Sequence, residues 1–426
     1  MKAAFAFFAW MGAASATSVT AQSLAIVHAR AWTGTGNSPV EDATIVVRGG
    51  RIVSIASGAT APTGLQLVDA AGRTVTPGIF AGATQIGLVE VAGAEDTADE
   101  AVSSGKLGPA FDVAPAVNAN SLLIEQARGD GVLWALSFPS GSASAPFLGQ
   151  AALLRLSRGE VLERPRAAMF ARIGGSSASS AGGSRAAQWT LLRRGLDEAR
   201  RLKAGTLPPA DERLFSRIDL EALRPVIDGL IPLAIQTHRQ SDIREALRLA
   251  RDFHVKLVLV GAAEAWMMTE EIAKANVSVI LDPAANLPIS HDEVGARLDN
   301  AVILDRAGVV LGLSMTANSI DMNYNVGVSS RMAAGIAVAN GLPYGAAIRA
   351  LTLGPARIWG ASDAGSIEPG KLADLVIWDG DPLEPSSAPA TLIIGGRSVS
   401  TVTREQLLTR RYSPATREEP WPPAYR

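Results

Sequence analysis

Between Pro232 and Leu313 the chain alternates short β-rich runs with helical stretches, and no other feature limits its fold as much. Pro232-Leu-Ala-Ile-Gln236 is a short apolar run. After it, Ile243, Ala246, Leu247 and Ala250 fall at i, i+3, i+4 and i+7, one face of a helix. VKLVLV (255–260), a helical stretch from about Glu264 to Ala275, VSVIL (277–281) and VVLGL (309–313) continue the pattern. Repeated βα units imply a parallel sheet covered by helices. With 426 residues, 47% of them hydrophobic, the chain can bury a large core. A (β/α)8 barrel is the expected architecture, and a doubly wound sheet is the alternative.

The two ends have a different texture. ATIVVRGGRIVSIA (43–56) sets two β-rich runs around Gly49-Gly50, a short hairpin signal. GKLADLVIWDGDP (370–382) and ATLIIGGRSVS (390–400) answer it near the other end. Joining them gives one small split β-sandwich, from residues 22–75 and 356–405, with the barrel (76–355) inserted between its halves. Residues 1–21 read as a signal peptide: Lys2, an apolar run from Ala3 to about Ala16, then Val19-Thr20-Ala21 ahead of a mature start near Gln22. The apolar run is shorter than the roughly 20 residues of a membrane-spanning helix. These features predict export to the periplasm or beyond, with no membrane span after cleavage. FPSGSASAPFLG (138–149) and IGGSSASSAGGS (173–184) read as flexible surface loops, and 406–426 as a loosely packed tail.

Composition removes several kinds of chemistry. A formal net charge of −2 gives no bias toward nucleic acid or an anionic membrane. The absence of cysteine excludes thiol catalysis, disulfides and thiolate-bound zinc. The four histidines are His28, His238, His254 and His291, and no Gly-x-Ser-x-Gly element is present.

Three stretches resemble the amidohydrolase superfamily: TVTPGIFAGATQIG (74–87), LTLGPARIWGASDAGSIEPGKLADLVIWDGDP (351–382) and the Gly49-Gly50 hairpin. IPLAIQTHRQSDIREALRLA (231–250) is similar to the secreted, imidazolonepropionase-like branch. The resemblance implies a (β/α)8 barrel inserted in a split β-sandwich, and hydrolysis of non-peptide carbon–nitrogen bonds with zinc or another divalent metal. Where the family's first strand carries Asp-x-His-x-His, this chain has Ala81, Ala83 and Gln85. At the fifth strand Gln236 takes the ligand position and His238 follows it; the sixth ends in Gly261. At the eighth, Thr316 stands at the Asp, with Asp321 beyond it, and no fourth-strand lysine is identifiable.

A divalent ion needs imidazole or carboxylate donors, and a general base must accept a proton near neutral pH. Ala83 and Gly261 offer no donor, while Gln85, Gln236 and Thr316 offer neutral oxygens. The resemblance therefore implies a hydrolase by family, and the residues imply no metal site and no cofactor. The expected protein is a metal-free pseudoenzyme: a binding protein, or a subunit partnering an active amidohydrolase or a second copy of itself. Gln85, Gln236, Arg239, Glu264, Thr316 and Asn318 are its candidate contacts for a small polar ligand. The alternative is an active hydrolase with a relocated site, His238 and Asp321 being the candidate catalytic pair.

Overall fold

The computed structural model describes residues 23–413, apart from 92, 103–106, 286, 287, 289 and 317–319. The expected signal segment, the candidate Asn318 and residues 414–426 lie outside the described residues. Five strands come first: β1 (Leu24–Ala31), β2 (Val40–Arg48), β3 (Arg51–Ser57), β4 (Gln66–Asp69) and β5 (Thr74–Pro77). Gly49 and Gly50 join β2 to β3 with φ of +58° and +77°, which a two-residue type I′ turn requires.

A second sheet follows, with its eight strands in chain order: β6 (Ile79–Thr84), β7 (Val132–Ser137), β8 (Phe147–Arg155), β9 (Leu162–Arg172), β10 (Leu233–Thr237), β11 (Leu257–Gly261), β12 (Ser278–Leu281) and β13 (Leu311–Leu313). The chain then returns to the first sheet with β14 (Leu375–Trp378), β15 (Pro389–Ile394) and β16 (Arg397–Val399). β5 is the joint, parallel to β1 and antiparallel to β14. One sheet thus runs β16-β15-β14-β5-β1-β2-β3, with β4 beside β1.

The second sheet is a nearly closed barrel. Ser314, just past β13, donates its hydroxyl to the Ala83 carbonyl of β6 at 3.0 Å. Alternation sorts its side chains into two layers. Ala234, Val258 and Ile280 join Phe80, Phe170 and Trp359 in one core. Ile235, Leu259 and Val279 face the other way, against Leu196, Leu223 and Ile243 of the covering helices. Phe138 stacks on Phe170, and Phe170 on Trp359, with ring centroids 4.7 and 5.8 Å apart.

Three details depart from the sequence reading. β8 runs antiparallel to both neighbours, so the βα repeat is not uniform. Its connections, 138–146 and 156–161, are too short for the crossover of a dozen or more residues that a parallel pair needs. FPSGSASAPFLG consequently ends inside a strand, with Phe147 fully buried. In IGGSSASSAGGS, the Gly174 N–H donates to Gln188 Oε1 at 3.2 Å and the Gly175 N–H to Asp292 Oδ2 at 2.7 Å, which fixes that turn against the barrel. The start of the expected tail is a helix, Arg404–Tyr412, opened by a capping box between Thr403 and Gln406.

Asp374, just before β14, fastens sandwich to barrel. It is 5% exposed. Its carboxylate accepts from Trp134 Nε1 of β7 at 2.9 Å, from Arg155 Nε and Nη2 of β8 at 2.9 and 2.7 Å, and from the Gly395 N–H at 2.8 Å. Substituting Asp374→Ala leaves a guanidinium and an indole N–H without their acceptor. The expected cost is about 3 kcal/mol, read as a lower denaturation midpoint, because removing one partner strands the other charge.

Candidate functional site

The C-terminal ends of the barrel strands set the site, as in barrels of this kind generally. Parallel pairing aligns Arg172 with Gln236, and Thr237 with Gly261, so residues from separate strands arrive at one level. Arg172 Nε donates to Gln236 Oε1 at 2.8 Å. Sequence reading missed this arginine because β9 ends directly against a glycine- and serine-rich stretch that reads as loop. The informative signal was the apolar run AAMFA (167–171) closing on a charged residue.

His238 follows β10, and its ring lies over Gly261. A Cβ built on Gly261 would stand 2.6 Å from His238 Cε1 and 3.0 Å from Nε2. Only glycine leaves that space, and Gly261 also sits at a φ of +84°. His238 Nε2 lies 3.8 Å from Glu293 Oε1. Nδ1 is buried without a hydrogen-bond partner among the described residues, as is the neighbouring Thr237 hydroxyl. Burial holds the His238 pKa below its ordinary value, against the upward pull of Glu293, Asp292 and Asp282, while Arg172 adds to the depression. The imidazole is therefore neutral at neutral pH.

Three carboxylates that sequence reading did not single out thus act on this ring. Asp282 accepts from the Ala284 N–H at 3.0 Å and from the Thr316 N–H at 2.9 Å. Asp292 accepts from the Gly175 N–H and bonds the Arg185 guanidinium. Both Asp292 and Glu293 are nearly buried. They come from the long segment after β12, where periodicity gives no clue to spatial position.

The predicted residues divide by role. Gln236, His238 and Thr316 gather with Arg172, Asp282 and Glu293 through the contacts above. Gln85 is buried just past β6, and its N–H donates to the Met322 carbonyl at 3.5 Å. Asp321 accepts from the Ser329 hydroxyl at 2.6 Å. Arg239 is the N-cap of the helix Gln240–Phe253. Glu264 accepts from the first N–H of that helix, on Gln240, at 2.7 Å and from the Gly295 N–H at 3.1 Å, which makes it a fastener between loops. A groove of about 1180 Å³, lined by Arg248, Lys256, Met268 and Trp359 among others, opens at the opposite strand ends, away from this mouth.

Residues 234–403 match the model of the amidohydrolase family. The structure of an amidohydrolase from Thermotoga maritima MSB8 is similar at a TM-score of 0.77 and 23% identity, over 88% of this chain and 99% of that one. The family match is confined to residues 234–403, and the solved structure adds a likeness of fold over most of the chain. Two other solved structures of similar fold are a zinc-bound adenosine deaminase from Xanthomonas campestris and enamidase. The deaminase has a TM-score of 0.53 and 19% identity, over 92% of this chain and 97% of that one. Enamidase has a TM-score of 0.51 and 16% identity, over 90% and 97%. No curated protein sequence matches the chain. At these identities the solved structures carry the fold and leave the chemistry to the residues.

Those residues fit poorly the divalent ion usual in an amidohydrolase. Ala83 and Gly261 have no donor, the space over Gly261 holds an imidazole, and the Gln236 oxygen is taken by a guanidinium. No three His, Asp or Glu side chains converge as metal ligands among the described residues. A fixed positive charge beside the ligand positions also opposes a second cation.

Substituting Gly261→Ala tests the packing of His238. A positive φ alone costs about 1–3 kcal/mol in a non-glycine residue, and the ring adds a clash. In a double-mutant cycle with His238→Ala, the two changes should couple by about 1 kcal/mol, Gly261→Ala costing less once the ring is gone. Additive stabilities would move the imidazole away from Gly261.

Proposed function

We propose that this amidohydrolase-superfamily protein is an exported, metal-free member that binds a small polar ligand at the barrel mouth without the family's hydrolysis. The observation carrying this reading is that protein groups fill the ligand positions: His238 over Gly261, and Arg172 on Gln236. The usual mechanism polarises a carbonyl and activates water on the metal, and no described residue set at the mouth supplies that. The neutral imidazole of His238, its side chain 31% exposed, instead suits hydrogen bonding to a polar guest. In this reading the protein works as a binding subunit, alone, as a homo-oligomer, or beside an active amidohydrolase.

Elemental analysis of protein purified from its native compartment is the direct test. The expected result is substoichiometric zinc, iron and manganese, with negligible hydrolysis of amides, lactams or lactones when zinc or manganese is added. Stoichiometric metal, lost together with hydrolysis in His238→Ala, would falsify the metal-free reading and establish the relocated site at His238 and Asp321.

Export is supported by Lys2, the apolar run and Val19-Thr20-Ala21. N-terminal sequencing of native protein should find a start near Gln22 in the periplasmic or secreted fraction. Intact Met1 on cytosolic protein would sink the proposal.

A further inference from the structure

Among the described residues, the Arg172 guanidinium makes no ion pair. Its side chain is partly buried at the end of β9. Nε donates to the neutral Gln236 amide, and the guanidinium makes no ion pair and no other hydrogen bond among the described residues. Burial lowers its pKa, with no carboxylate acting to raise it. Neighbouring acids are engaged elsewhere: Asp282 on backbone N–H groups, Asp292 on Gly175 and Arg185, and Glu293 facing His238. A charge withdrawn from water is normally paired or fully hydrogen-bonded, and two other arginines of this chain have more partners than Arg172. Arg155 meets Asp374, and Arg331 donates to the carbonyls of Pro382, Glu384 and Ser387. Arg172 therefore keeps its Nη1–Nη2 edge without an acceptor among the described residues, at the strand end where the architecture receives ligands.

We infer that the barrel mouth binds the carboxylate of a small organic acid on the free Nη1–Nη2 edge of Arg172. A planar guanidinium offers two parallel N–H donors that match a carboxylate's two oxygens. Gln236 holds the guanidinium from its Nε side and fixes its plane. The charge of the guest supplies the direct ion pair that no described residue makes with Arg172. The inference rests on reading the mouth as a ligand pocket and adds the chemical class of its occupant.

Calorimetric and NMR titrations of the full-length mature protein with acetate, glutarate and benzoate, their primary amides, and inorganic phosphate test it. At least one acid should bind saturably at one site, about tenfold or more tighter than its amide, as a charge-assisted pair requires. In Arg172→Gln that preference should vanish, while the melting temperature of the ligand-free protein does not fall, since the charge removed had no partner. Arg172→Lys, a point charge without the fork, should keep part of the preference. The inference is overturned if no acid binds, if acids and amides bind alike, if the preference survives in Arg172→Gln, or if phosphate binds tighter than every carboxylate. Metal content measured on the same protein separates the two proposals. Stoichiometric metal with Arg172-dependent acid binding removes only the metal-free reading; metal-free protein without such binding removes only this one.

Discussion

Asp374 accepts four hydrogen bonds, from Trp134, twice from Arg155, and from Gly395, at the place where the chain crosses from sandwich to barrel. Its own carbonyl accepts from the N–H of Gly78, the residue between β5 and β6, at 2.8 Å. The first barrel strand is thereby set against the returning strand β14, and the second and third barrel strands are tied to the same carboxylate. A charge in this position is tolerable because Arg155 meets it with two donors. The level at which β6 starts, and so the level of Ala83 and Gln85 at its far end, follows from that anchor.

At the mouth, a guanidinium and an imidazole are held by their neighbours. A metal site needs converging negative or imidazole donors around a cation. Here the cation belongs to the protein, as the Arg172 guanidinium held on Gln236, and the imidazole of His238 lies over Gly261. These substitutions depend on one another. Gly261 without His238 would leave a void, and His238 beside any larger residue would have to move. Close packing makes such pairs felt together, because interiors leave little slack for a single change.

Much of the fold was legible beforehand. The βα alternation from 232 to 313, the Gly49-Gly50 hairpin and the LADLVIW run each match the strands and turns observed. These signals are local, set by side-chain periodicity and turn chemistry within a few residues. At the mouth, Gln236, His238 and Thr316 could be named from the strand ends, whereas Arg172, Asp282, Asp292 and Glu293 could not. The antiparallel β8 was not legible, since short buried runs have the same composition in either direction, and only connection length distinguishes them.

Sequence alone determined that the chain has a large α/β core between two β-rich ends and that it carries four histidines and no cysteine. Both conclusions need only residue type and local order. Tertiary structure decided which side chains meet at the barrel mouth. The pairing of β9 with β10 brings Arg172 to Gln236, 64 residues apart, and the fold of the segment after β12 brings Asp282, Asp292 and Glu293 to His238. Neither juxtaposition has a local signature, because each is fixed by strand register and loop closure across separate elements. The charge balance of the mouth, and hence the class of guest it can receive, was set by contacts of that kind.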